Sequence, residues 1–131
     1  MKYLAKIIAG DLEGLRMISA CSSGAKVKIS DIKYLASNKV FLLSVERIKV
    51  ENENENEDKK INSILRFDFV EKSRSKNIDQ SNQDAVLELV GIDYLKNNDV
   101  YEINLIFNNN AHIALTTETI EARLEDQSEI K

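Results

Sequence analysis

The feature that most constrains the fold is a series of segments in which apolar and polar residues alternate, separated by very short turns. From Tyr101 to Phe107 every second residue is apolar, and asparagine-rich turns at 97–99 and 108–110 flank this segment. Such short links cannot carry a parallel crossover, which needs roughly a dozen residues. The late part of the chain is therefore predicted to form an antiparallel sheet.

The same alternation predicts strands through most of the rest of the chain. Residues 40–43 are apolar on both faces, which is typical of a central strand. About seven strands are predicted in total, over residues 3–9, 27–34, 40–50, 64–70, 85–95, 101–107 and 111–115.

Side-chain alternation also predicts which residues of two strands face the core. The segment 64–70 alternates clearly, with Arg66 and Asp68 expected on the outer face. The core-facing residues are predicted to be Leu65, Phe67 and Phe69 in this segment, and Val86, Val90, Ile92 and Tyr94 in the segment 85–95.

Two helices are predicted from capping residues and apolar spacing. Asp11 is a plausible N-cap for a first helix, which Gly24 would end. Thr116 or Thr117 is expected to cap a second helix that runs to Asp126. This C-terminal helix would bury Ile120 and Leu124, which lie four positions apart.

The chain is thus predicted to be a single α+β domain over residues 1–131. Its sheet is expected to be bent and mostly antiparallel or a partly open barrel, with a helix near the N-terminus and another at the C-terminus. By analogy, a pleckstrin-homology-like barrel has this strand count and this terminal helix. Two loops and a frayed end are predicted: a flexible acidic loop at 51–60, a polar basic loop at 71–84, and a frayed C-terminus at 127–131.

The inventory of reactive side chains argues against an enzyme. The chain has one histidine, His112, and one cysteine, Cys21. His112 is predicted to lie exposed on a strand, and Cys21 to be a buried structural thiol. No metal site, no cofactor and no catalytic residue is predicted, because four glycines cannot build a phosphate-binding loop and one His with one Cys cannot complete a zinc site.

The charge distribution bears on partners and location. Five of the 22 acidic residues lie within 51–58, so the rest of the chain has 17 acids against 18 bases and is close to neutral. Duplex binding usually needs a basic face, so no nucleic-acid partner is predicted. No apolar run is long enough to span a bilayer, and lysines interrupt the apolar stretch near the N-terminus. We therefore expect no membrane association and a bacterial-type cytoplasm.

A small basic cluster is the best candidate for a binding site. Lys72, Arg74 and Lys76 lie in the predicted basic loop, close in sequence to Arg66 and Asp79. Arginine can grip a carboxylate or phosphate through two hydrogen bonds, and polar loops commonly carry function. Ile78 is expected to fix this loop to the body of the protein. The alternative is a solvated connection with no ligand.

Several short motifs resemble those of a known family in order and spacing. They are RFDFV at 66–70, RSKNID at 74–79, DAVLEL at 84–89 and IEARLED at 120–126, together with DL at 11–12 and DIKYL at 31–35. The chain is similar to domain of unknown function 2948, an uncharacterised and mostly alphaproteobacterial family. The segment 46–51 departs from the family pattern: Arg47 and Glu51 match, but the asparagine and aromatic residues do not. The resemblance implies no catalytic residue.

Three hypotheses for function follow. The first is a small cytoplasmic binding or accessory protein, not an enzyme, that engages another protein. The alternative is a protein that binds a small molecule or an anion through the Arg66 and Arg74 loop region. The third is an enzyme of unknown type, which a deep pocket lined by perturbed carboxylates would favour.

Overall fold

A computed structural model describes residues 5–49 and 59–130, which form ten strands, one α-helix and two short 3-10 turns. The helix α1 spans Leu12–Ser22. The strands are β1 (Lys6–Ala9), β2 (Lys26–Lys28), β3 (Ile32–Leu35), β4 (Val40–Lys49), β5 (Lys59–Phe67), β6 (Val70–Lys76), β7 (Val86–Asn97), β8 (Val100–Phe107), β9 (His112–Thr117) and β10 (Ala122–Ile130).

All strand pairs among the described residues are antiparallel, as the short turns predict. The strand order is β1-β10-β5-β4-β2-β7-β8-β9-β6, and β3 pairs with the part of β4 that β2 does not reach. The sheet bends around one core, to which buried residues of all its long strands contribute. It does not close, because β6 and β3 do not pair.

The helix α1 begins and ends where the sequence predicts. The side chain of Asp11 accepts a hydrogen bond from the backbone N–H of Gly14 at 2.8 Å, which is a standard N-cap contact. Gly24, just after the helix, has a φ of +86°, which glycine adopts without strain. Leu15 and Ile18 are buried against the sheet. Among the described residues, no helix is long and apolar enough to cross a membrane.

The predicted C-terminal helix is wrong, because residues 122–130 form strand β10. Ala122, Leu124 and Asp126 are all buried, so the burial repeats every second residue. Ile120 and Leu124 are also buried, but their spacing of four fits a strand as well as a helix. The backbone of β10 pairs with β1 on one side and β5 on the other. Residues 127–130, which are expected to be frayed, are the last residues of β10, and residue 131 lies outside the described part.

The described residues form ten strands, whereas the sequence predicts about seven, and the difference arises in individual segments. The predicted strand 27–34 is split by a 3-10 turn at Ile29–Asp31 into β2 and β3. The predicted loop 71–84 is wrong in its first half, because residues 71–76 belong to β6. Strand β6 lies at the edge of the sheet and has few apolar residues, because one of its faces and its unpaired edge are exposed to solvent. Without a terminal helix, the pleckstrin-homology analogy loses its basis.

The predicted acidic loop lies mostly outside the described residues. Residues 51–58 are not described, and Lys59 and Lys60 begin strand β5. The placement of 51–58 therefore stays a prediction.

The predicted core faces hold for β5 and half of β7. Leu65 and Phe67 are fully buried, but Phe69 is 49% exposed with a φ of +59°, because it lies in the sharp link between β5 and β6. In β7, Val86 and Val90 are exposed and their neighbours Leu87 and Leu89 are buried. A bulge between Leu89 and Gly91 then reverses the alternation, so that Ile92 faces the core as predicted.

Candidate functional site

A concave site lies between the edges of β3 and β6, and we call it the β3–β6 groove. It encloses about 300 Å³. Its floor is apolar and its walls carry hydroxyl and amide groups. The floor residues include Ile32, Tyr34, Phe41, Ile78 and Ile113, and the polar wall residues are Ser73, Ser75, Gln80 and Gln83.

The groove exists because two strand edges face each other without pairing. Within the described residues β3 pairs only with β4, and β6 pairs only with β9. At one end the two edges are joined, because the N–H of Val70 donates to the carbonyl of Lys39 at 2.8 Å. The hydroxyl of Tyr34 donates to the Val70 carbonyl, also at 2.8 Å. The Tyr34 side chain thus crosses from β3 to β6 and closes this end.

The loop 77–85 closes the other end of the groove. Its last residues bond to the chain after β2: Ile29 N–H donates to the Ala85 carbonyl and Ser30 N–H to the Gln83 carbonyl, both at 3.0 Å. Ile78 is half-buried and packs against the core, as expected for a residue that fixes this loop.

Asp79, a predicted site residue, organises this loop from within. Its carboxylate accepts hydrogen bonds from the Ser81 hydroxyl at 2.5 Å and the Ser81 N–H at 3.0 Å. These bonds lower the pKa of Asp79 below its ordinary value. The role that the structure gives Asp79 is therefore to shape a turn.

Alternation along β6 separates its serines from its cations. Ser73 and Ser75 line the groove, whereas Lys72, Arg74 and Lys76 occupy the intervening positions and are exposed. We call these three cations the β6 basic row. The three predicted cations therefore do lie close to one another, but they lie on a strand and not in a loop.

Arg74 has a carboxylate partner within the sheet. Its Nη2 donates to Oε1 of Glu102 on β8 at 2.9 Å, with 72% of the Arg74 side chain exposed. No carboxylate among the described residues pairs with Lys72 or Lys76. The row therefore has positive charge available to a ligand.

Arg66 does not share a site with Arg74. It lies on β5 between Leu42 of β4 and Arg123 of β10, in the other half of the sheet. Its guanidinium donates to Oδ1 of Asp68 from Nε at 3.1 Å and from Nη2 at 2.9 Å. The two arginines thus have separate carboxylate partners: Asp68 lies in the link after β5, and Glu102 lies on β8.

Removal of Arg74 should leave the fold intact, because its pair with Glu102 is exposed. Exposed ion pairs contribute about 0–1 kcal/mol, so Arg74→Ala should change the free energy of unfolding by no more than about 1 kcal/mol. Urea denaturation followed by far-UV circular dichroism measures this change. A loss much larger than this would show that the Arg74–Glu102 pair is structurally essential.

A buried ion pair joins β4 and β10, and no short sequence motif indicates it. Arg47 of β4 donates to both carboxylate oxygens of Asp126 of β10, at 2.8 and 2.7 Å. Ser63 adds a bond of 2.6 Å from its hydroxyl, and Ala5 one of 2.8 Å from its N–H. Because the Asp126 side chain is fully enclosed and the Arg47 side chain is 7% exposed, this pair links β4 to β10 inside the protein and offers no surface to a ligand.

The pKa of Asp126 reflects these contacts. Burial raises its pKa, but hydrogen bonds from Arg47, Ser63 and Ala5 outweigh burial and lower it to about 2. The hydrogen bond with Asp126 in turn raises the pKa of Arg47. Both groups are therefore charged at neutral pH.

The single histidine and cysteine lie on different elements. Nε2 of His112, on β9, is 3.0 Å from Oδ1 of Asn104, so this half-buried ring is less exposed than expected. Cys21, on α1, is also half-buried. In the ranges 5–49 and 59–130, no three His, Cys, Asp or Glu side chains are grouped so as to hold a metal ion.

Comparison with known proteins identifies a family. The sequence model of a family described as "Protein of unknown function (DUF2948)" matches residues 5–131. No curated protein and no solved structure matches the chain.

Proposed function

The chain belongs to the DUF2948 family of proteins of unknown function, and we propose that it is a cytoplasmic binding protein, not an enzyme, that engages another protein. The β3–β6 groove is the proposed contact site. The resemblance stated above covers the same motifs that build this groove, at 31–35 and 74–79.

The observation that carries the proposal is the pair of unpaired strand edges above an apolar floor. Unpaired edges present backbone N–H and C=O groups that another chain can use. Ile32, Phe41 and Ile113 lie beneath these edges, so a bound segment gains apolar contacts as well as backbone hydrogen bonds. Both features suit a protein ligand.

The chemistry of the groove favours binding over catalysis. Serine, glutamine and tyrosine side chains supply its polar groups. Among the described lining residues there is no carboxylate, histidine or thiol to act as a general acid, base or nucleophile. The Tyr34 hydroxyl is already engaged with Val70. The groove therefore offers hydrogen bonds and apolar surface.

A small apolar molecule is the second candidate, because the volume of about 300 Å³ reaches the lower end of the range for ligand pockets. The anion site suggested by Arg66 and Arg74 has less support, since each arginine bonds to its own carboxylate. Native mass spectrometry of the protein purified from its own host distinguishes these cases. A retained small molecule adds a discrete mass, and a protein partner adds a whole chain.

The test is affinity purification of the tagged protein from its host with quantitative mass spectrometry. Ser75→Trp places a large ring in the groove, and Ser128→Trp makes the same change at an exposed position of β10. We expect Ser75→Trp to reduce recovery of the main partner at least tenfold, and Ser128→Trp to leave it unchanged. Equal recovery of the same partners with Ser75→Trp, at unchanged stability, would contradict the proposal.

A further inference from the structure

We infer that the occupant of the β3–β6 groove is an extended segment of the partner protein, which adds to the edge of β6 and carries acidic residues in alternation with apolar ones. The inference rests on the proposed function and specifies the chemistry of the partner.

The directions of the two edges determine how such a segment can pair. β3 runs toward the turn at Lys39, whereas β6 starts beside Lys39 at Val70 and runs away from it. The two edges therefore run in opposite directions, and an added strand must be antiparallel to one and parallel to the other. Antiparallel pairing is the more stable per residue, and β6 has seven residues against four in β3. The segment is thus expected to run antiparallel to β6.

The inner face of the added strand meets an apolar floor. Side chains of a strand point alternately to the two faces of the sheet, so every second residue of the segment would point into the groove. There Ile32, Ile113 and the ring of Tyr34 surround it. A volume of about 300 Å³ accepts one or two apolar side chains. Polar residues at these positions would lose their hydration without gaining enough hydrogen bonds.

The outer face of the added strand meets positive charge from both sides. The β6 basic row of Lys72, Arg74 and Lys76 is exposed on one side, and Lys33 is exposed on β3. Opposite charges on neighbouring strands stabilise a sheet, and like charges destabilise it. Acidic residues at the outward positions therefore complement this surface, and basic residues are disfavoured.

The experiment uses the purified full chain and a display library of random octapeptides. We expect the selected peptides to alternate acidic and apolar residues and to be depleted in lysine and arginine. A selected peptide, made with a fluorescent label, should bind Lys72→Glu/Lys76→Glu at least tenfold more weakly than the unmodified protein. Lys6→Glu/Lys60→Glu makes the same change in charge on β1 and β5 and should bind normally.

Strand addition has its own signature in the backbone. Those β6 amides that do not bond to β9 should exchange with solvent at least tenfold more slowly when the peptide is bound. Unchanged exchange along β6 would exclude pairing at this edge, even for a peptide that binds.

The outcomes separate this inference from the proposed function. If Ser75→Trp abolishes capture of the partner but the library selects basic peptides, or no alternating pattern, the inference is overturned and the proposed function stands. If Ser75→Trp has no effect on capture, both the proposed function and this inference are contradicted. A dimer that forms in purified protein and that Ser75→Trp abolishes would assign the groove to a second copy of the chain and overturn the inference.

Discussion

Replacement of Phe67 by alanine should lower the free energy of unfolding by about 3–5 kcal/mol, as large-to-small changes in a core do. Phe67 is fully buried at the end of β5, where it pairs with Phe41 of β4 and Ala122 of β10. Three strands meet at this ring, so backbone movement cannot refill the cavity easily. Urea denaturation measures the loss, and a midpoint equal to that of the unmodified protein would contradict it.

Phe69→Ala is the matched control. Phe69 lies two residues away, but it is half exposed in the link between β5 and β6. Surface substitutions usually change stability by about 0.5 kcal/mol or less. The same substitution at two neighbouring phenylalanines should therefore give very different losses, because only one ring belongs to the core.

The parts of the fold that sequence predicts are those with local signals. Asp11 caps α1 through a contact three residues away, and the turns at 97–99 and 108–110 contain asparagines with positive φ. In β5, β8 and β9, the apolar residues at every second position are the ones that face the core. Each of these features is contained in a short window of sequence.

The parts that sequence misses depend on distant partners. The strand β10 pairs with β1, which lies at the other end of the chain, and the spacing of Ile120 and Leu124 does not distinguish a strand from a helix. The strand β6 reads as a loop because its groove-facing residues are serines, and only its pairing with β9 makes it a strand. The bulge in β7 changes which residues of the strand face the core, and no single residue in the sequence marks its position.

Sequence predicts the candidate site in the same partial way. The cations Lys72, Arg74 and Lys76 form a charge cluster that the sequence itself shows, whereas Arg66 lies on β5, which is not a neighbour of β6 in the strand order. Tyr34, Ser73 and Ser75 carry no charge and no motif. Only the approach of β3 to β6 makes them lining residues of a groove.

The buried pair of Arg47 and Asp126 leads to the second large effect. Removing one partner of a buried ion pair costs about 3–5 kcal/mol, because the remaining charge stays buried. We expect Asp126→Asn to destabilise the protein by this amount at neutral pH. Asp99→Asn, in the exposed turn after β7, is the control and should have little effect. Arg47→Met/Asp126→Leu should lose less stability than Asp126→Asn, since it removes both charges.

The same pair predicts how stability depends on pH. The folded pKa of Asp126 is about 2, below its ordinary value of 3.8, so the unfolded chain binds the proton more tightly. The stabilisation is therefore complete above the unfolded pKa and is lost as the pH falls from about 4 to about 2; it amounts to on the order of 2 kcal/mol.

Other carboxylates also titrate in this range, but Asp126→Asn removes only one of them. The difference in free energy of unfolding between the unmodified protein and Asp126→Asn should therefore shrink by about 2 kcal/mol between pH 6 and pH 2. Urea titrations at a series of pH values measure it. A difference that stays constant over this range would mean that the carboxylate has an ordinary pKa in the folded protein, and that the hydrogen bonds from Arg47, Ser63 and Ala5 only offset the cost of its burial.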